Sequence, residues 1–231
     1  MPPRQSLPRR ARRARSAPDP NMPPLFIVFE GIEGSGKSTQ AALLSEYLTS
    51  RGIPCVLTRE PGGTPTGEEI REILLHGCDI APATELLLMC AARAAHVAEV
   101  ILPALQAGSV VISDRYELST FAYQGAGRGL DMADVRIVNR VATGRLEPDV
   151  TIVVDVPWEV GAARREGRGA DRIERAGDEF HKRVAEAYRL LSEESDTVVR
   201  VDGVGSPEEV HGRVLALLRR RFPETFASDK G

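Results

Sequence analysis

Residues 26–40 read FIVFEGIEGSGKSTQ. An apolar, β-rich run from Leu25 to Phe29 ends in a glycine-punctuated turn. That turn opens into a helical pattern carrying Ala41, Leu44, Tyr47 and Leu48 on one face. Between the two, Gly31-x-x-x-x-Gly36-Lys37-Ser38 has the spacing of a phosphate-binding loop, in the strand–loop–helix context that gives the spacing its meaning. The glycines let the backbone turn several N–H groups toward one point, an anion nest. The helix that follows aims free donors and the positive end of its dipole at the same point. Lys37 would reach the terminal phosphates and the Ser38 hydroxyl would hold Mg²⁺, with Ile32, Glu33, Gly34, Ser35 and Thr39 completing the loop. The plain alternative, a glycine-rich βα turn that binds nothing, is disfavoured because strand, loop and helix are all in register. The stretch predicts a nucleoside triphosphate site.

The chain has 231 residues, enough for one α/β domain with a sizeable core. Its 42% apolar and 27% charged residues are ordinary for a soluble globular protein. The three cysteines, Cys55, Cys78 and Cys90, are scattered and lack any CxxC spacing, which argues against a disulfide framework or a zinc site and for a reducing cytoplasm. The four histidines form no ligand-spaced pair. No apolar run approaches the length needed to cross a bilayer, so no membrane span is expected.

Residues 1–24 differ from the rest. They hold six arginines against a single acid, Asp19, and almost nothing apolar to bury, so a disordered extension is expected. The extension carries +5, and the chain's net charge of −3 leaves the body near −8. Such a segment fits nucleic-acid binding, an organelle transit peptide, or a start at Met22 with the preceding residues read through. The last reading is favoured, because Met22 sits immediately before the first strand.

Beyond the loop, apolar strands alternate with helices. Strands are expected at 53–57, 109–112, 150–154 and 197–201. Helical patterns run over 68–75, over 82–107 with a kink or break near Pro103, from Asp131, and along Phe180, Val184, Ala187 and Leu191. A capping box, Ser206-Pro207-Glu208-Glu209, opens the last helix. The segment TREPGGTPTG (58–67) is too rich in glycine and proline for regular structure. The fold class predicted is α/β, a five-stranded parallel sheet of the P-loop NTPase type with helices on both faces. The domain is expected to span 25–222, followed by a flexible tail at 223–231.

On such sheets ligands bind beyond the carboxyl ends of the strands. Those ends carry Glu30, Arg59-Glu60, Asp114-Arg115 and Asp155. Asp114, closing a hydrophobic strand, stands where an acid would hold Mg²⁺ through water; a helix or turn cap is the alternative. Arg59 and Arg115 are placed to grip a second phosphate, against the alternative of surface salt bridges. Arginines 164, 165, 168, 172 and 175, interrupted by Gly161, Gly167, Gly169 and Gly177, read as a mobile lid over about 161–177. Phosphoryl transfer needs positioning and positive charge, which such a lid supplies; an ordinary exposed charged loop is the alternative.

Several motifs together resemble the bacterial thymidylate kinases: FEGIEGSGKSTQ, TREPGGT (58–64), AAR-x-x-H (91–96), the block from Asp114 to Asp131, and DRIE (171–174). The phosphate loop alone would admit any P-loop protein, whereas TREPGGT with the 114–131 block is specific. The resemblance, over about 25–221, implies a homodimer that moves the γ-phosphate of ATP to dTMP with Mg²⁺. By position it implies a triphosphate and Mg²⁺ role for Lys37 and Ser38, and an acceptor-facing carboxylate at Glu33. Arg59 and Arg115 would surround the dTMP phosphate, and Glu60 and Asp114 would lie near the metal. Arg93 and Thr120 would bind the thymine edge, and Tyr123 would sit beside the sugar with Gln124 next to it. The loop lacks an arginine between Gly31 and Gly36, as in a bacterial subtype where lid arginines act in catalysis, here Arg164, Arg168 and Arg172. Met89 replaces the usual phenylalanine four residues before Arg93, where it would form a wall against the base.

Another nucleotide kinase, a regulatory GTPase and a nucleic-acid-binding protein are the competing readings. No NKxD guanine-reading motif occurs, and Asp202-x-x-Gly205 comes too late for a switch segment. The acidic body opposes binding to a phosphate backbone, and no nucleic-acid or membrane partner is expected.

Overall fold

A computed structural model describes residues 23–165 and 171–226. The extension up to residue 22 lies outside the described residues. In chain order the elements are β1 (Leu25–Glu30), α1 (Lys37–Ser50), β2 (Cys55–Arg59), α2 (Pro65–His76), α3 (Pro82–His96), α4 (Leu102–Gln106), β3 (Val110–Asp114), α5 (Glu117–Thr120), α6 (Met132–Thr143), β4 (Val150–Asp155), α7 (Trp158–Arg165), α8 (Asp178–Leu191), β5 (Val198–Asp202), α9 (Pro207–Arg221) and α10 (Pro223–Phe226). The five strands form one parallel sheet in the order β2-β3-β1-β4-β5, the predicted class.

β1 is buried along its whole length because both faces of the sheet are covered. Alternation divides its side chains: Leu25, Ile27 and Phe29 pack with Ala41, Leu44 and Leu48 of α1 and with Val214 and Leu218 of α9. Phe26 and Val28 face the other way, onto Val97, Ile101 and Tyr116. Each such buried side chain contributes about 1.5–3 kcal/mol. The central strand is thereby clamped, and the loop that leaves its carboxyl end starts from a rigid base.

Three expectations are corrected. Of the kink or break expected near Pro103, the break does not occur: the helix from Pro82 passes through a π turn, Val97–Ile101, into α4. There the Leu102 N–H bonds to the Val97 carbonyl, a widened turn placed just ahead of a residue with no N–H to give. The resulting run, Pro82–Gln106, is by length and composition alone sufficient for a membrane span, contrary to the expectation from apolar runs. Here it carries the buried Glu85, Arg93 and His96, all paired with other parts of the fold. Finally, Pro223–Phe226 is not loose tail. Phe226 is fully buried, stacks on Tyr47 at 6.3 Å and completes the core between α1 and α9. Phe226→Leu is expected to destabilise the protein by about 1–2 kcal/mol, read by urea denaturation; an unpacked end would show no change.

Candidate active site

α1 begins at Lys37 with Gly36 as its N-cap, at φ 100°, a conformation natural to glycine. No side chain caps this end, so its backbone donors are left for a ligand. Gly34 is required for a different reason: a β-carbon there would sit 2.3 Å from the carbonyl oxygen of Gly161 on α7. α7 therefore docks directly on the loop. One turn later Arg164 donates to the carbonyls of Gly34 and Ser35 at 3.3 Å and of Gly203 at 3.2 Å.

Two cavities meet at this loop. One, of about 420 Å³, is lined by the loop residues Gly34–Gln40 with Arg164, Gly203, Gly205, Pro207 and Val210. Within it the hydroxyl of Ser35 and the side-chain carbonyl of Gln40 are buried with no partner in the protein. The other, of about 430 Å³, holds Glu33, Arg59, Glu60, Arg71, Met89, Arg93, Asp114, Arg115, Thr120, Tyr123 and Gln124. Gly34, Lys37 and Ser38 belong to both. Each is of ligand size.

Lys37 donates to the Ile32 carbonyl at 2.8 Å and lies 3.8 Å from Glu33. Burial, then the neighbouring Arg115, hold its ammonium below the ordinary lysine value. The Ser38 hydroxyl donates to Asp114 at short range, which joins helix and strand end at one point. A hydroxyl and one carboxylate suit Mg²⁺, which takes most of its ligands from phosphates and water. Among the described residues no three His, Cys, Asp or Glu side chains cluster to hold a metal without such help.

Arg115 has φ 77°, unusual for a residue with a side chain, and its N–H bonds the Phe29 carbonyl. Its guanidinium contacts Glu33, the Tyr123 hydroxyl at 3.3 Å, Ser119 at 2.9 Å and the Tyr188 hydroxyl at 3.2 Å. Burial alone would raise the Glu33 carboxyl, but Arg115, Lys37 and the Tyr123 hydroxyl bring it down to about 2. Behind them Glu30, fully buried, accepts from the backbone N–H groups of Tyr116 and Ser119 and from the hydroxyls of Ser119 and Tyr188. It thereby fastens the 115–120 turn to β1.

Arg93 is almost wholly enclosed. Its Nε donates to Glu60 at 2.8 Å, Nη1 to Thr120 at 2.9 Å and to Asn139, and Nη2 to the Tyr116 carbonyl at 2.9 Å. Of five guanidinium N–H groups this leaves one, on Nη2, for a ligand. Met89, one turn before, is half-buried in the wall of the same cavity.

Other residues are placed differently from the sequence reading. Glu60, expected near a metal, gives one carboxylate oxygen to Arg93 and the other to His96 at 2.9 Å. A carboxylate in the core must be paired, and these two side chains of α3 take both of its oxygens. Arg172, expected on a catalytic lid, is buried. Its Nε donates to the Leu74 carbonyl at 2.8 Å, and its Nη2 makes a 2.8 Å ion pair, not an aligned hydrogen bond, with Glu85. The described parts of the expected lid are the last turn of α7 and a 3₁₀ turn, Glu174–Ala176; Arg168 lies outside the described residues. Asp155 pairs with the exposed Arg200 and lines neither cavity. Arg59 is half-exposed at the rim, with both Glu68 carboxylate oxygens within 3.1 Å of its Nη2.

Sequence reading missed Arg71, which enters the second cavity while donating to the Pro61 carbonyl, and Tyr188 on α8. It also missed Gly203 and Gly205 beside the loop. Arg71 had a signal, since it follows TREPGGT by two helical turns on the same side; Tyr188 had none.

Two ligand cavities sharing one phosphate-loop lysine define a P-loop nucleotide kinase. A family model described as Thymidylate kinase matches residues 29–214. The chain belongs to the thymidylate kinase family. It is 50% identical over 200 residues to a thymidylate kinase of Synechococcus sp. (strain JA-2-3B'a(2-13)), covering 86% of this chain and 96% of that one. With the thymidylate kinase of Thermomicrobium roseum the identity is 51% over 187 residues, 80% and 89% of the two chains. A crystal structure of thymidylate kinase from Ehrlichia chaffeensis superposes with a TM-score of 0.70 at 33% identity, covering 85% of this chain and 99% of the other.

Proposed function

We propose that this kinase transfers the γ-phosphoryl group of ATP to dTMP, giving dTDP and ADP, as a step toward dTTP. The observation that carries the reading is that Gly34, Lys37 and Ser38 line both cavities, so donor and acceptor phosphates would meet over one lysine. Family membership supports the choice of acceptor.

The phosphate loop binds the triphosphate, with the unpartnered Ser35 hydroxyl as an added donor. Ser38 and Asp114 would hold Mg²⁺, which supplies charge neutralisation on the phosphates. Arg59, Arg71 and Arg115 bind the acceptor phosphate, Arg59 by exchanging Glu68 for it. Glu33 keeps Arg115 aimed and, being ionised, receives hydrogen bonds from the acceptor. The remaining Nη2 donor of Arg93, with Thr120 and Gln124, reads the base edge. Tyr123 packs by the sugar. Met89 lays its thioether on the ring, a contact worth about 0.3–1.5 kcal/mol, in the range of the aromatic pair it replaces. Arg164, already at the triphosphate cavity, and Arg168 add positive charge over the moving group. Arg172 acts from the lid's root without touching it.

A homodimer is proposed. Leu87 on α3 and Ile137 and Val141 on α6, two helices packed together, are large apolar side chains left exposed, Val141 at 80%. The free cysteines suit the cytoplasm. The acidic body argues against nucleic acid as a partner.

The test is a coupled ADP-release assay over a panel of nucleoside monophosphates. The expected order places dTMP first and dUMP as a weaker acceptor. Faster turnover of AMP, GMP or dCMP would overturn the assignment.

A further inference from the structure

Glu85, in the first turn of α3, is fully buried, and three residues from two segments distant in sequence converge on its carboxylate. Gln124 donates Nε2 to Oε1 at 2.8 Å. Arg128 donates Nε to Oε1 at 3.2 Å and Nη2 to Oε2 at 3.0 Å. Arg172 places its Nη2 2.8 Å from Oε2. Burial by itself would raise this carboxyl, but Arg128, Gln124 and Arg172 hold it below the ordinary glutamate value, so it is ionised at neutral pH.

An ionised carboxylate only accepts hydrogen bonds. A side-chain amide facing it must therefore offer its NH₂, and the amide's carbonyl oxygen is left for the opposite side. Gln124 lies in the wall of the acceptor cavity, so its Oε1 is the amide acceptor left for a base there. Thymine carries a proton on N3 between two carbonyl groups. Cytosine carries a lone pair on N3 beside an amino group. An oxygen fixed opposite N3 accepts from the proton of thymine and is repelled by the lone pair of cytosine, whose amino donor lies one ring position away.

From this geometry we infer that Glu85 is a specificity-determining positioning residue, which locks the Gln124 amide in the orientation that accepts thymine and rejects cytosine. The inference rests on the dTMP reading above and extends it to a residue that touches no substrate. Two arginines on the same carboxylate keep it charged and in place, and one of them, Arg172, belongs to the root of the lid.

The experiment is the ratio of kcat/KM for dTMP to that for dCMP in the wild type, Glu85→Gln and Glu85→Asp. A glutamine at 85 both donates and accepts, so the Gln124 amide is free to turn over. The ratio is expected to fall by about tenfold or more, equivalent to about 1.4 kcal/mol. Aspartate keeps acceptor-only chemistry, and its ratio should stay within about threefold of wild type even if stability drops. A merely structural role would lower both substrates in proportion; an unchanged ratio in Glu85→Gln overturns the inference. Absence of dTMP turnover in the wild type would instead bring down the reading on which it rests.

Because Glu85→Gln strips two arginines of their counter-charge and threatens folding, a second measurement uses the wild type. In ¹⁵N-labelled protein bound to dTMP, the Gln124 amide protons should show nuclear Overhauser contacts to the Arg128 guanidinium. Contacts from those protons to the base edge would overturn the inference.

Discussion

Lys37→Ala is expected to lower kcat by about 10²–10³-fold, the cost of removing one preorganised charge from a transfer site. Lys37 lines both cavities and is held by the Ile32 carbonyl within its own loop, so in the proposed reaction the ammonium would stand where charge moves. Phosphoryl transfer depends on positioning and electrostatic stabilisation, leaving little for other groups to replace. The fold should not suffer. Burial and Arg115 both disfavour the lysine's charge, so its removal relieves an unfavourable burden in the folded state. Single-turnover and steady-state rates, with thermal melting by circular dichroism, check the two halves together. Turnover within about threefold of wild type would show that transfer does not occur at this loop.

Arg93→Leu is expected to cost about 3–5 kcal/mol of stability, because it leaves the Glu60 carboxylate charged and partly unpaired in the core. The two side chains are 2% and 5% exposed, so water cannot take over the lost contact. Thr120, Asn139 and the Tyr116 carbonyl lose a donor at the same time. For a chain of this size the loss corresponds to a fall in Tm of roughly 2–4 °C per kcal/mol. Urea unfolding should show that Arg93→Leu with Glu60→Leu is less destabilised than Arg93→Leu alone, since the orphaned charge is then gone. If the double variant is as unstable as the two single losses added together, the pair is not coupled and the cluster is held by something else.

Glu60 and Arg172 show where sequence reading stops. Both lie in motifs that mark them as charged groups at the ligand side of the sheet: TREPGGT puts Glu60 just beyond the end of β2, and DRIE puts Arg172 just before α8. Which partner each charged group takes is another matter. A carboxylate at the end of β2 could turn toward Ser38 and Asp114, or toward α3. The choice falls on α3 because Arg93 and His96 sit one turn apart there, 33 and 36 residues downstream of Glu60, and need an acceptor. Arg172 is drawn inward by Glu85 and the free Leu74 carbonyl at the end of α2. The π-helical course of Phe121–Gly127 was equally invisible, although it sends Tyr123 to Glu33 and brings both Gln124 and the capping Arg128 to Glu85.

The local part of the site was legible without coordinates. Strand β1, the glycine loop, Lys37, Ser38 and the sheet of five strands follow from hydrophobic periodicity and from the backbone freedom of glycine, which act over a few residues and leave their mark in spacing. Asp114 was legible too, because a parallel strand must end on the ligand side. Glu85 on the Gln124 amide, Arg164 on the loop carbonyls, Tyr188 behind Arg115 and Phe226 under α1 were decided only when the chain had folded. Each is a contact across 39 residues or more between groups that leave no local trace, and a buried charge or ring takes the partner that packing brings within reach.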